Sequence, residues 1–175
     1  MRDGLAIVVM GVTGVGKTTV GRRLAADLRC AFLEGDDFHP RANVEKMRAG
    51  VPLDAADRLP WLLAIRTAVA GRIARGEVVV VACSALKRSY RQTLACGKGR
   101  VVFACLDGPR SLVAARMAER PGHFMPVGLL DSQYAALELP DDLGFASDRE
   151  PALIAAAIRA ELIARGLLSP GLTAG

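Results

Sequence analysis

Short apolar runs of four to seven residues alternate along the chain with segments whose apolar positions recur at helical spacing, the pattern of a parallel sheet with helices on both faces. The predicted strands are residues 5–10, 31–34, 78–83 and 101–106. Between and beyond them, Val20, Leu24 and Leu28 share one helical face, Leu62, Ile65, Val69 and Ile73 a second, and Ile154, Ile158 and Leu162 a third; all three read as core packing. Asp107-Gly108-Pro109 precedes another helix carrying Leu112, Val113 and Met117, with proline at an early position that needs no N–H. Residues 143–148 are only weakly strand-like. Segments at about 39–60 and 116–130 are rich in charge and proline and break the rhythm. They predict a substrate-side insertion and a mobile lid, placed where open α/β sheets close on ligands. Residues 169–175 read as a frayed tail.

A chain of 175 residues fits one domain spanning 1–175. Its strongly apolar runs, such as 78–83, fall far short of the roughly 20 residues that cross a bilayer, so no membrane contact is predicted. The first apolar run leads straight into a glycine loop and reads as a strand, not as a targeting segment. Cys30, Cys83, Cys96 and Cys105 form no CxxC pair and have no histidine at metal-ligand spacing, which predicts reduced thiols and a cytoplasmic location. The net charge of +5 comes from scattered arginines in a chain with 5% aromatics; this argues against a nucleic-acid platform and leaves anionic small molecules as ligands.

Gly11-Val12-Thr13-Gly14-Val15-Gly16-Lys17-Thr18 matches G-x-x-x-x-G-K-[ST] between a strand and an amphipathic helix, the context that a phosphate-binding loop requires. Glycines let successive N–H groups turn inward around phosphate oxygens, and the following helix adds the positive end of its dipole. Residues Gly11 to Thr18, with Thr19, form the predicted ATP-binding set; Lys17 reaches the β- and γ-phosphates, and the Thr18 hydroxyl ligates Mg²⁺. Asn43-Val44-Glu45-Lys46 does not supply a guanine-reading N-K-x-D element. The third strand ends in Cys83-Ser84 where motor ATPases carry an acidic pair. A small P-loop kinase remains: an α/β, three-layer fold with a parallel sheet, helices on both faces and a lid.

Further motifs carry a resemblance: Gly35-Asp36-Asp37-Phe38-His39-Pro40, the stretch from Asn43 to Met47, Pro52-Leu53 through Asp57-Arg58 to Pro60-Trp61-Leu62, Cys83-Ser84-Ala85-Leu86-Lys87 with Tyr90-Arg91, and Gly122-His123-Phe124-Met125. With the glycine loop they resemble the gluconate kinases over about residues 5–139. That family is related in fold to shikimate and adenylate kinases. The resemblance implies transfer of the γ-phosphoryl group of ATP to D-gluconate, giving 6-phospho-D-gluconate, and a homodimer. Kinases of the same fold acting on shikimate or a nucleoside monophosphate, and a non-catalytic nucleotide sensor, are the alternatives.

Within that resemblance, Asp36 is the candidate to accept or orient the proton of the acceptor hydroxyl, with Asp37 able to exchange roles. Arg58, Lys87 and Arg91, beside Ser84, are the candidates for the carboxylate and polyol, Lys87 and Arg91 being expected on one side of a helix. His39 lies in the same matched stretch. Arg116 and Arg120 are expected to place positive charge over the transferring phosphate. His123 and Gln133 are expected to reach substrate when the lid closes. Residues 143–148 are shorter than the strand and loop the family carries there, which leaves the adenine contacts unassigned.

Overall fold

Strand β1 (Leu5–Met10) is buried at every position because it is the middle strand of five. The computed structural model describes residues 4–95, 99–120, 127–141 and 143–171. The sheet runs β2 (Ala31–Glu34), β3 (Val78–Ala82), β1, β4 (Arg100–Asp107), β5 (Gly144–Ala146), with every neighbouring pair parallel.

Alternation along β1 divides the core into two layers. Leu5, Ile7 and Val9 join Val20 and Leu24 of helix α1 (Lys17–Asp27) and Ile154, Ile158 and Leu162 of helix α7 (Pro151–Ala164). Ala6, Val8 and Met10 join Trp61, Leu62, Ile65 and Val69 of helix α3 (Ala55–Ile73) on the opposite face. The three predicted helical stripes are therefore the core, and each fully buried Leu or Ile contributes about 1.5–3 kcal/mol.

The remaining helices are α2 (Arg41–Arg48), α4 (Arg88–Ala95), α5 (Arg110–Ala118) and α6 (Val127–Ala136). The charged 39–60 segment is not a bare insertion: it holds α2 and the start of α3. A capping box begins α3, in which Asp57 N–H donates to Asp54 Oδ1 at 2.8 Å and Asp54 N–H to Asp57 Oδ2 at 3.1 Å. Lys46 Nζ then donates to Asp57 Oδ1 at 2.7 Å, fastening α2 to that cap.

Several boundaries move, and the expected strand 101–106 is one residue longer at each end, Arg100–Asp107. Predicted strand 78–83 ends at Ala82, although Cys83 N–H still donates to Val9 O at 3.1 Å. The weak 143–148 segment does form a strand, because Gly144–Ala146 pairs with Cys105–Asp107 of β4 and closes the sheet's far edge. Pro109 stands just outside α5 as its N-cap. No described helix is long and apolar enough to cross a membrane. Because all strands are parallel, their carboxyl ends share one rim, from which the chain leaves at Gly11, Gly35 and Ser84.

Candidate active site

The glycine loop joins β1 to α1, and its backbone is bent as the motif predicts. Gly11 has φ 140, and a Cβ there would stand 2.6 Å from Leu106 O; Gly16, the N-cap of α1, has φ 110. Side chains would strain both turns. Gly11 N–H donates to Ser84 O at 3.3 Å, which ties the loop to the end of β3.

Lys17 is half-buried, and its Nζ donates to Val12 O at 2.8 Å. Burial pushes its ammonium below the ordinary value of 10.5; Asp36, the Cys83 thiol and Glu34 oppose that shift, and Arg120 reinforces it. Asp36 and Arg120 thus both act on the charge of Lys17, with opposite sign. Burial also pushes the Cys83 thiol up to about 12, which leaves it inert as a nucleophile.

Thr18 Oγ1 donates to Glu34 Oε2 at 2.7 Å. Glu34 ends β2 and is a site residue that motif reading did not assign; its signal is a carboxylate at the carboxyl end of a strand beside the loop. A hydroxyl and a carboxylate are hard oxygen donors, and Mg²⁺ needs only one or two from protein when phosphates and water complete its shell. The pair fits that ion, and among the described residues no group of three or more His, Cys, Asp or Glu forms a larger metal cage.

Asp36 lies in a 3₁₀ turn, Gly35–Phe38, directly after β2, with its side chain 83% exposed. His39 Nε2 stands 3.9 Å from Asp36 Oδ1, while the His39 side chain is only 5% exposed. The imidazole stacks on Trp61 at 4.3 Å between centroids and 12° between planes. Trp61 Nε1–H donates to Gly35 O at 2.8 Å, so the indole also holds the turn that carries Asp36. Asn43 Nδ2 faces His39 Nδ1 at 3.3 Å and Asp57 O at 2.8 Å. An amide nitrogen only donates, so Nδ1 accepts, and the neutral ring carries its hydrogen on Nε2, toward Asp36. Burial pushes His39 below its ordinary value of 6.5, with Asp36 opposing and Arg58 reinforcing. Asp37, also exposed, has no comparable partner in this cluster.

The expected basic trio divides. Arg58 Cζ lies 5.6 Å and Lys87 Nζ 5.9 Å from the Tyr90 ring centroid, so one aromatic ring gathers two cations from different elements. Arg91 is buried, and its Nη1 donates to Ala85 O at 3.1 Å and Leu86 O at 3.2 Å. It supports the loop after β3, where Ala85 has φ 43; Lys87 precedes the first residue of α4, and the two do not share an exposed helix face. Ser84 is half-buried on that same loop.

Arg116 Nη1 donates to Val15 O at 3.4 Å, and exposed Arg120 follows the end of α5. In this structure Gln133 is engaged with the phosphate loop. Its Oε1 accepts from Thr13 N–H at 2.7 Å, and its Nε2 donates to Thr13 Oγ1 at 2.9 Å, so α6 grips the phosphate loop. The reason is tertiary: α6 lies alongside α5, against the loop. His123 and the middle of the predicted lid lie outside the described residues.

Residues 7–140 match a family model described as an AAA domain. The chain is 46% identical over 137 residues to the thermosensitive gluconokinase of Escherichia coli (strain K12), covering 78% of this chain and 73% of that protein. Among solved structures, a gluconokinase from Sinorhizobium meliloti 1021 superposes with a TM-score of 0.79 at 40% identity, covering 94% of this chain and 99% of that one. A sugar kinase from Janibacter sp. HTCC2649 gives a TM-score of 0.84 at 38% identity, covering 98% and 99%.

Proposed function

Because the chain belongs to the gluconokinase family, we propose that its rim site transfers the γ-phosphoryl group of ATP to D-gluconate, giving 6-phospho-D-gluconate and ADP. The observation that carries the reading is the exposed carboxylate of Asp36 in the turn directly after β2, on the same rim as the phosphate loop.

Phosphoryl transfer asks the protein mainly to position reactants and to stabilise spreading negative charge. The loop amides and Lys17 hold the phosphates. Thr18 and Glu34 would hold Mg²⁺, which would supply neutralisation of phosphate charge when bound. Arg58 and Lys87, set around Tyr90, take the sugar acid's single carboxylate; Ser84 and His39 flank the polyol. Asp36 accepts the hydroxyl proton as the hydroxyl oxygen bonds to the γ-phosphorus and the bond from that phosphorus to the ADP oxygen breaks. Arg116 and Arg120 extend positive charge toward the transferring group. Arg91 acts indirectly, through the loop that it supports. The His39 contact and the link to Lys17 favour Asp36 over Asp37 as the base.

ADP release with Mg-ATP, compared across D-gluconate, shikimate, AMP, other sugar acids and no acceptor, tests the reading. Turnover is expected with gluconate alone, and Asp36→Asn is expected to lower kcat by about a hundredfold or more while leaving ATP affinity nearly unchanged. Turnover with another acceptor sinks the substrate assignment; ATP binding without any acceptor-dependent turnover points to a sensor.

A further inference from the structure

We propose that Gln133 is a positioning residue that aims the Thr13 hydroxyl at the transferable phosphate, so that the loop distinguishes a nucleoside triphosphate from a diphosphate. The inference rests on reading the loop as part of a kinase, and it adds a specificity device to that reading.

The orientation follows from what each atom can do. A backbone N–H only donates, so the carboxamide atom 2.7 Å from Thr13 N is the oxygen, Oε1. The other end is then Nε2, which only donates, and its partner at 2.9 Å, Thr13 Oγ1, is the acceptor. With that lone pair occupied, the Thr13 hydroxyl hydrogen must point away from Gln133. A rotor that would otherwise sample several directions is held in place by a residue 120 positions further along the chain.

The loop itself indicates where that hydrogen goes. Lys17 Nζ rests on Val12 O at 2.8 Å, one peptide from Thr13. A lysine at this motif position serves the β- and γ-phosphates, so Thr13 belongs to the terminal-phosphate side of the loop. A hydroxyl fixed toward an anionic oxygen makes a short, charge-assisted hydrogen bond without reorganising. ADP lacks the phosphate that would accept it.

The test compares calorimetric affinities for Mg-ADP and for the Mg complex of the β,γ-imido analogue of ATP, alongside melting curves and gluconate-dependent turnover. Thr13→Val is expected to weaken the triphosphate analogue about tenfold or more and to leave ADP within about twofold, the size of one hydrogen bond to a charged group. Thr13→Ser keeps the hydroxyl and is expected to keep the discrimination. Gln133→Glu is nearly isosteric: its carboxylate still accepts from Thr13 N–H but also accepts the hydroxyl hydrogen, turning it from the phosphate, so it is expected to behave like Thr13→Val. Gln133→Leu combined with Thr13→Val is expected to add little to Thr13→Val alone. Equal losses for both nucleotides in the Gln133 variants, no loss in either, or full additivity of the double variant would overturn the proposal. The expected pattern in a protein without gluconate turnover would uphold it while removing the acceptor assignment; a parent that binds neither nucleotide would remove both.

Discussion

His39 illustrates how much a single side chain's surroundings decide. Its ring is packed on Trp61 and fixed by Asn43, with Asp36 and Arg58 as the charged groups that act on it. Folding favours the neutral ring, so the unfolded chain binds a proton more readily. The stability this contributes is complete above pH 6.5, the ordinary histidine value, and is lost as pH falls below it. Protonation would turn Nδ1 into a second donor facing the Asn43 donor and would break that contact. We expect denaturant unfolding from pH 7.5 down to about 5 to show a decline that His39→Gln lessens; parallel curves for the two proteins would refute it. At this scale the glycine loop was legible in the sequence, because its chemistry lies in eight consecutive residues. The Thr18–Glu34 and Gln133–Thr13 pairs were not, since their partners meet only once β2 and α6 lie beside the loop.

Between elements, the loop from β3 to α4 depends on one buried cation. Ala85 occupies a left-handed conformation that costs a non-glycine residue about 1 kcal/mol or more, and Arg91 holds its carbonyl and that of Leu86. Glu138 N–H donates to Leu86 O at 2.9 Å, so the segment after α6 meets the same turn. Replacing Arg91 by Met keeps the volume and removes the donors. Arg91→Met is expected to lower unfolding stability by about 1–3 kcal/mol and to raise the KM for the sugar acid; unchanged stability would show that water satisfies those carbonyls equally well. Strands and helical stripes were readable from periodicity because burial on two sheet faces dictates it. An inward-turned arginine in an otherwise polar helix start carries no such periodic mark. The three-residue β5 was faint because an edge strand needs few apolar positions; its neighbour β4 supplies the pairing.

Across the whole molecule, stability and ligand affinity are set against each other at Lys17. Burial disfavours its charge in the unliganded protein, and bound phosphate would reverse that penalty. Lys17→Met is therefore expected to melt no lower than the parent without nucleotide. Mg-ADP at about a hundred times its Kd should stabilise the parent by about 2.7 kcal/mol, a rise of roughly 5–10 °C for a chain of this size, and leave the variant nearly unmoved. A lower melting point for unliganded Lys17→Met would show that its contact with Val12 O outweighs its desolvation. The arrangement around Trp61 has an optical consequence as well. The chain has one tryptophan, and its indole is stacked on His39 and bonded to the carbonyl of Gly35, next to Asp36. All intrinsic tryptophan emission thus originates beside the proposed acceptor site, where a protonated imidazole quenches and a shifted turn changes the polarity felt by the ring, so the native protein carries its own label-free reporter of sugar-acid arrival.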